Sequence, residues 1–202
     1  LWVPGSMALI AALSLAVLVQ TGWFQGLEKD LSISRGIVGV FMLLQSSLTF
    51  AYVPLGTWVV HIGTLLWLGF FPFLWRGVRS NSSVAVFAAL MMVSSCLLLL
   101  QEWLWLKSST SWGDIPGTWL AITLPVAMIT STCLYERMLI GGGGTMLAEF
   151  LRLLIHRDEL SPVILGESAW LDRFWLVLSG IFLFHYALRW ISVRMGNPNP
   201  SS

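Results

Sequence analysis

Charged side chains are scarce in this sequence. Asp, Glu, Lys and Arg supply 10% of its 202 residues, against about 25% in a soluble domain. An ordinary water-exposed surface is incompatible with so small a share. The net charge is +1, and no block of like charge occurs. This excludes a basic nucleic-acid face and an acidic disordered tail. Cysteine is almost missing. The only two, Cys96 and Cys133, both fall in apolar runs and have neither C-x-x-C nor zinc-type spacing. They read as small buried apolar groups. Also missing are H-E-x-x-H and G-x-S-x-G, the signatures of familiar zinc proteases and serine hydrolases. No G-K-[ST] follows Gly141–Gly144, so that run is no phosphate loop and reads as a flexible hinge. The two halves share no repeat, which speaks against an inverted-repeat transporter.

Apolar sequence is abundant. Hydrophobic residues make up 56% of the chain, and mean hydropathy is +0.79. Several runs approach or exceed the ~20 residues that a helix needs to cross the hydrocarbon core. The runs are continuous rather than alternating, which selects helices over a membrane barrel. The sequence therefore predicts an all-α fold, a polytopic membrane helical bundle forming a single domain. Six spans are expected near 5–24, 36–53, 57–76, 83–106, 117–139 and 169–192. No basic segment precedes the first run and no A-x-A site follows it, so it reads as a retained span. Pro54 and Gly56 separate spans two and three and predict a tight hairpin. After span five, Glu149, Arg152, His156 and Glu159 recur at three- and four-residue spacing beside Met146, Phe150, Leu151 and Leu154. This predicts an amphipathic helix near 145–158, too short and too charged to span. It would lie on the cytoplasmic membrane surface, either tucked against the bundle or offering Glu149, Arg152 and His156 to a partner.

Orientation is read from the basic residues. Lys29, Arg35, Arg76, Arg79, Arg137, Arg152, Arg157 and Arg173 fall on one side of a six-span chain. Lys107, Arg189 and Arg194 fall on the other. The first set should be cytoplasmic, which places both termini outside a plasma membrane. Most of the twelve tryptophans, Trp105, Trp119 and Trp170 among them, sit near expected span ends and read as interfacial anchors.

Ionisable residues inside spans are expensive to bury and are candidates for function. In the six-span scheme His61, Glu102, His185 and Arg189 share the outer third of the bilayer. His185 and Arg189, at i and i+4, lie on one face of their helix. Facing inward, the four would form a polar cluster suited to proton relay, anion binding or metal binding; facing outward, they would anchor the span. Glu136 and Arg137, adjacent near the inner end of span five, are expected to snorkel to the headgroups. Gln45, mid-span, should bond across to another helix, and Ala12 and Ala16 form a small-xxx-small pair for close approach. Pro72 and Pro125 interrupt their spans, as in transporters and in ordinary membrane helices alike.

The opening pattern is Pro4–Gly5, an apolar span, then "TGWFQGLEKDLSISRG". It resembles the YphA-like small membrane proteins of spore-forming Gram-positive bacteria. The resemblance covers about the first fifth of the chain. It implies a bacterial plasma membrane and transfers no catalytic residue. Three function classes follow from the sequence. The leading one is a non-enzymatic scaffold or accessory factor. Next come a small transporter or channel component using the polar cluster, and an intramembrane enzyme built on His61, Glu102 and His185. The expected partners are the lipid bilayer and a membrane or cytoplasmic protein, without nucleic acid. No cofactor, catalytic residue or bound metal is assigned.

Overall fold

The computed structural model describes residues 3–24, 26–31, 33–79, 81–107 and 116–195, with the side chains of 107, 116 and 193 set aside. The chain is mainly helical. Its elements are α1 (Ser6–Gln20), α2 (Leu27–Leu31), α3 (Arg35–Ser47), β1 (Tyr52–Leu55), β2 (Trp58–His61) and α4 (Ile62–Gly77). Then follow α5 (Ser83–Lys107), α6 (Pro116–Thr130), α7 (Leu134–Met138), a π-helical turn (Leu139–Gly143), α8 (Gly144–Ile155), β3 (Val163–Leu165) and α9 (Ser168–Arg194). Three helical runs are long and apolar enough to cross a membrane: Ser83–Leu106, Leu134–Ile155 and Ser168–Ser192. Ser6–Gln20 and Gly117–Thr130 are apolar but shorter.

Long-range hydrogen bonds define the two ends of the bundle. At the upper end, Gly5 and Ala8 meet Asp172, and Glu102 meets His156. At the lower end, Ser82 meets Glu136, and Asp30 meets Tyr186 and Arg189. Among the described residues seven helical runs pass between these ends in alternation: α1, α3, α4, α5, α6, α7 through α8, and α9. Ser6 therefore starts at the upper end and Arg194 finishes at the lower one.

The extra pass comes from the segment after α6. The sequence suggested a glycine hinge and a surface helix over 145–158. The structure instead continues α7 through the π turn into α8 as one 22-residue run, most of it buried. Gly141 to Gly144 are not a hinge; all four are buried. Leu178 and Phe71 press on Gly142, Leu90 on Gly143, and Val93 on Gly144. Glycine propensity disfavours this helix by ~1 kcal/mol per residue, and close packing with α5 and α9 overrides it. The expected span over 117–139 is accordingly broken at Ser131–Cys133, between α6 and α7.

Spans two and three also end differently. The run "YVPLGTWVVH" is rich in β-branched and aromatic residues, which suit a pleated strand. It forms an antiparallel hairpin with Leu55 opposite Trp58. Gly56, at φ 66°, supplies the positive φ that a two-residue turn needs. Pro54 lies on the edge strand, where its missing N–H is tolerated. β3 adds in parallel to β2. The fold is thus a helical bundle with a small sheet at its upper end.

Trp67 is fully buried at the centre. Phe41, Phe174 and Trp175 surround it, with ring centroids 5.1, 5.4 and 5.8 Å away. Ala8, Ala12 and Ala16 form the buried stripe of α1. Trp119 and Trp170 are buried and are not membrane anchors.

Candidate functional site

The structure distributes the expected polar cluster over three places. His61 ends β2 and caps α4. Its Nδ1 accepts from Thr64 N–H at 3.2 Å, and its Nε2 donates to the Thr49 carbonyl at 2.9 Å. Both ring nitrogens are thereby used. Burial holds the imidazole below its ordinary pKa, against hydrogen bonds to the Thr49 and Leu48 carbonyls that favour the proton. Glu102 lies on α5 at the upper end, bonded to His156 at 3.0 Å. His185 and Arg189 lie at the lower end, because the additional pass reverses the direction of α9 expected from six spans. Gln45 donates to the Gly63 carbonyl in the first turn of α4 at 2.9 Å.

The lower network centres on Asp30 of α2. Its carboxylate accepts from Tyr186 Oη at 3.0 Å and Arg189 at 2.9 Å, with His185 Nε2 at 3.8 Å. Burial alone would raise this carboxyl. The hydrogen bonds from His185 and Tyr186 and the charge of Arg189 outweigh it and hold Asp30 below the usual carboxylate range. Arg137 donates to His185 Nδ1 at 2.8 Å and to the Ser131 carbonyl at 2.7 Å. Glu136 accepts from Ser82 at 2.7 Å and from Ser131. Glu136 and Arg137 are buried and do not snorkel. Arg137 instead satisfies a carbonyl freed by the break between α6 and α7, a requirement of any buried helix end.

The upper site is a cavity of about 270 Å³. α5 contributes Gln101 and Trp105, α8 contributes Glu149 and Arg152, and the start of α9 contributes Trp170, with Glu167 just before it. Glu149 is 1% exposed. Arg152 grips it through two nitrogens, at 2.7 and 3.1 Å, a fork that also fixes the geometry. Helical spacing of three residues brings the pair together. The Gln101 amide approaches the same carboxylate at 3.5 Å. Beside the cavity, the His156 ring lies 4.8 Å from Trp105 and faces Glu102 and Glu159. The three residues expected on a surface helix, Glu149, Arg152 and His156, thus belong to the upper site, and Glu102 joins them.

Gln101 and Trp170 line the cavity, and behind its wall Gln101 Oε1 and Trp170 Nε1 are buried without a hydrogen-bond partner. Sequence reasoning missed Gln101, Trp170 and Asp30. No spacing rule links Asp30 to Tyr186, and Trp170 carries the same signal as any interfacial tryptophan. Among the described residues no three His, Cys, Asp or Glu side chains are grouped to hold a metal ion. No family model, curated protein or solved structure matches this chain.

Proposed function

We propose that the chain is a multi-pass protein of a bacterial plasma membrane, crossing it seven times, and that it acts as a non-enzymatic accessory factor. It recognises a small polar group in the upper cavity. The observation that carries this reading is an open, charge-lined cavity at the upper end with an apolar layer beneath it. From Glu149 to Arg137, and from Arg173 to His185, no ionisable residue intervenes. Each interval rises about 18 Å along its helix. Trp67, Phe174, Leu178 and Ile140, all buried, pack between the two polar regions. Such an arrangement suits binding rather than conduction.

Orientation belongs to the same proposal. Lys29, Arg35, Arg76, Arg79, Arg137, Arg189 and Arg194 stand at the lower end, leaving four of the eleven basic residues for the upper one. The lower end is then cytoplasmic and the cavity opens outward. The lipid bilayer and a membrane or cytoplasmic protein are the partners of this reading, as is kinship with YphA-like proteins.

A second reading, a small transporter, draws on the break at Ser131–Cys133 and the π turn beside it, since interrupted helices recur in transporters. Proton flux into liposomes separates the two. The accessory reading expects vesicles carrying the protein to hold a pH gradient as well as empty vesicles. Flux that falls in Glu102→Gln would replace it with the transporter.

A further inference from the structure

A second cavity, about 90 Å³ in volume, lies toward the lower end of the bundle. Trp67 of α4, Met138 of α7 and Phe182 of α9 form its interior and are buried. Ile37 and Phe41 of α3 and Phe70 of α4 form its rim; Ile37 is exposed and the two phenylalanines are half-buried. The cavity therefore opens sideways between α3 and α4. Those two helices are supported separately, α3 by α1 and α4 by α7. They meet through Phe41, which stacks on Phe70 and stands edge-on to Trp67. No polar atom contributes to the cavity surface.

Such a wall offers a trapped water none of the polar partners it needs. Left empty, the space forfeits the dispersion contacts of its lining. In a seven-pass bundle the side opening faces hydrocarbon, so the neighbouring material able to fill it is an acyl chain. An apolar cavity of about 150 Å³ takes one benzene ring, so this smaller one suits the end of a single chain. The headgroup level below the opening supplies the rest of the ligand. Arg76 stands about 9 Å beyond Phe70 along α4, toward the lower end. Lys29 stands on α2, two residues before Leu31, another lining residue. Both α2 and α4 pack against α7. The two cations are exposed, and neither has an acidic partner among the described residues. We propose that the lower cavity holds an acyl chain of an anionic phospholipid, whose phosphate is met by Arg76 and Lys29. This assignment rests on the membrane-spanning reading proposed above and is independent of the upper cavity.

The test places the full chain in phosphatidylcholine vesicles containing a small fraction of lipid brominated mid-chain, since bromine quenches indole fluorescence on contact. The brominated lipid is phosphatidylglycerol in one series and phosphatidylcholine in the other. Trp67 is fully buried, so lipid around the outside of the bundle does not touch it and a chain inside the cavity does. Its share of the quenching is the difference between the unmodified chain and Trp67→Phe. Brominated phosphatidylglycerol is expected to quench Trp67 more strongly than brominated phosphatidylcholine at the same fraction. Arg76→Gln and Lys29→Gln should each lower that preference about fivefold, the effect of one basic residue on an anionic lipid. Ile37→Phe narrows the mouth at an exposed position and should reduce quenching by both lipids. Where Trp67→Phe does not fold, the unmodified chain is compared with Ile37→Phe instead. No quenching of Trp67 by either lipid, or no effect of Ile37→Phe, overturns the proposal. Equal quenching by both lipids, indifferent to Arg76 and Lys29, overturns the anionic class. Vesicles made wholly of brominated lipid test the underlying reading. There the exposed indoles of Trp75 and Trp103 should be quenched in every variant. Unchanged fluorescence in those vesicles would mean that the chain does not lie in the bilayer, and the membrane-spanning reading would fall as well.

Discussion

The His61 imidazole is buried in its neutral form, which makes this fold sensitive to acid. An unfolded chain takes up a proton near pH 6.5, whereas folded His61 resists protonation until lower pH. Between those values the unfolded state binds more protons, so stability falls as pH falls. The thermal midpoint in detergent should drop between pH 7.5 and 5.5, and the drop should shrink in His61→Gln. Asp172 has a comparable structural role. Its two oxygens accept from the Gly5 and Ala8 amides at 2.9 and 2.7 Å, capping α1 from the far end of the chain. Asp172→Ala would leave both buried amides unpaired, at a cost of about 1–3 kcal/mol. Asp172→Asn should recover part of it, measured by chemical denaturation. Neither role is visible in the sequence. His61 stands at what looks like the start of an apolar span. Asp172 stands just past the first turn of α9, and its partners are 164 and 167 residues away.

The α7–α8 helix is where local preference and tertiary packing conflict most. Four consecutive glycines argue for a break. The helix persists because removing the side chains lets α5 and α9 approach its backbone. A Cβ built on Gly144 would stand 2.6 Å from Val93 Cγ1 and 3.2 Å from the Leu90 carbonyl oxygen. The backbone atom cannot retreat. Gly144→Ala should therefore destabilise by about 1–3 kcal/mol as an overpacking change, despite the better helix propensity. Gly69→Ala in α4 meets nothing within 4 Å and should stabilise by up to ~1 kcal/mol. Denaturation of the two variants side by side checks the contrast, and equal effects would contradict the packing argument. The sheet shows the same ambiguity at shorter range. An apolar run of four to eight residues is a strand or a helix segment with equal right until its neighbours are known. β2 becomes a strand because β1 and β3 flank it.

At the scale of the molecule, pass number controls which polar groups can meet. With six passes, Glu102 and His185 share an end. With seven they stand at opposite ends, and Asp158 separates from Asn81 in the same way. Single cysteines placed at Asp158 and Asn81, with Cys96 and Cys133 replaced by alanine, distinguish the schemes. A membrane-impermeant maleimide added to intact cells should label Asp158→Cys and spare Asn81→Cys. In the six-span scheme both sites are cytoplasmic and both are spared. In the proposed seven-pass topology Arg189 and Arg194 join the end that carries most of the basic residues.

The sequence by itself determined the helical character of this protein, its runs long and apolar enough to cross a membrane and the small residues that let helices touch. These follow from composition and period, which are sums over neighbouring residues. Gln45, Ala12 and Ala16 could be singled out as inter-helix positions for that reason. Tertiary structure alone decided the number of passes, the split of His61, Glu102, His185 and Arg189 among three environments, and the assembly of Gln101, Glu149, Arg152 and Trp170 around one cavity. The physical reason is the direction of the chain. Each additional pass reverses every later helix, so one local choice, whether four glycines bend or continue a helix, moves the polar residues of α9 from one face of the bundle to the other. Hydropathy cannot register that choice, because it depends on packing by residues far away in the sequence.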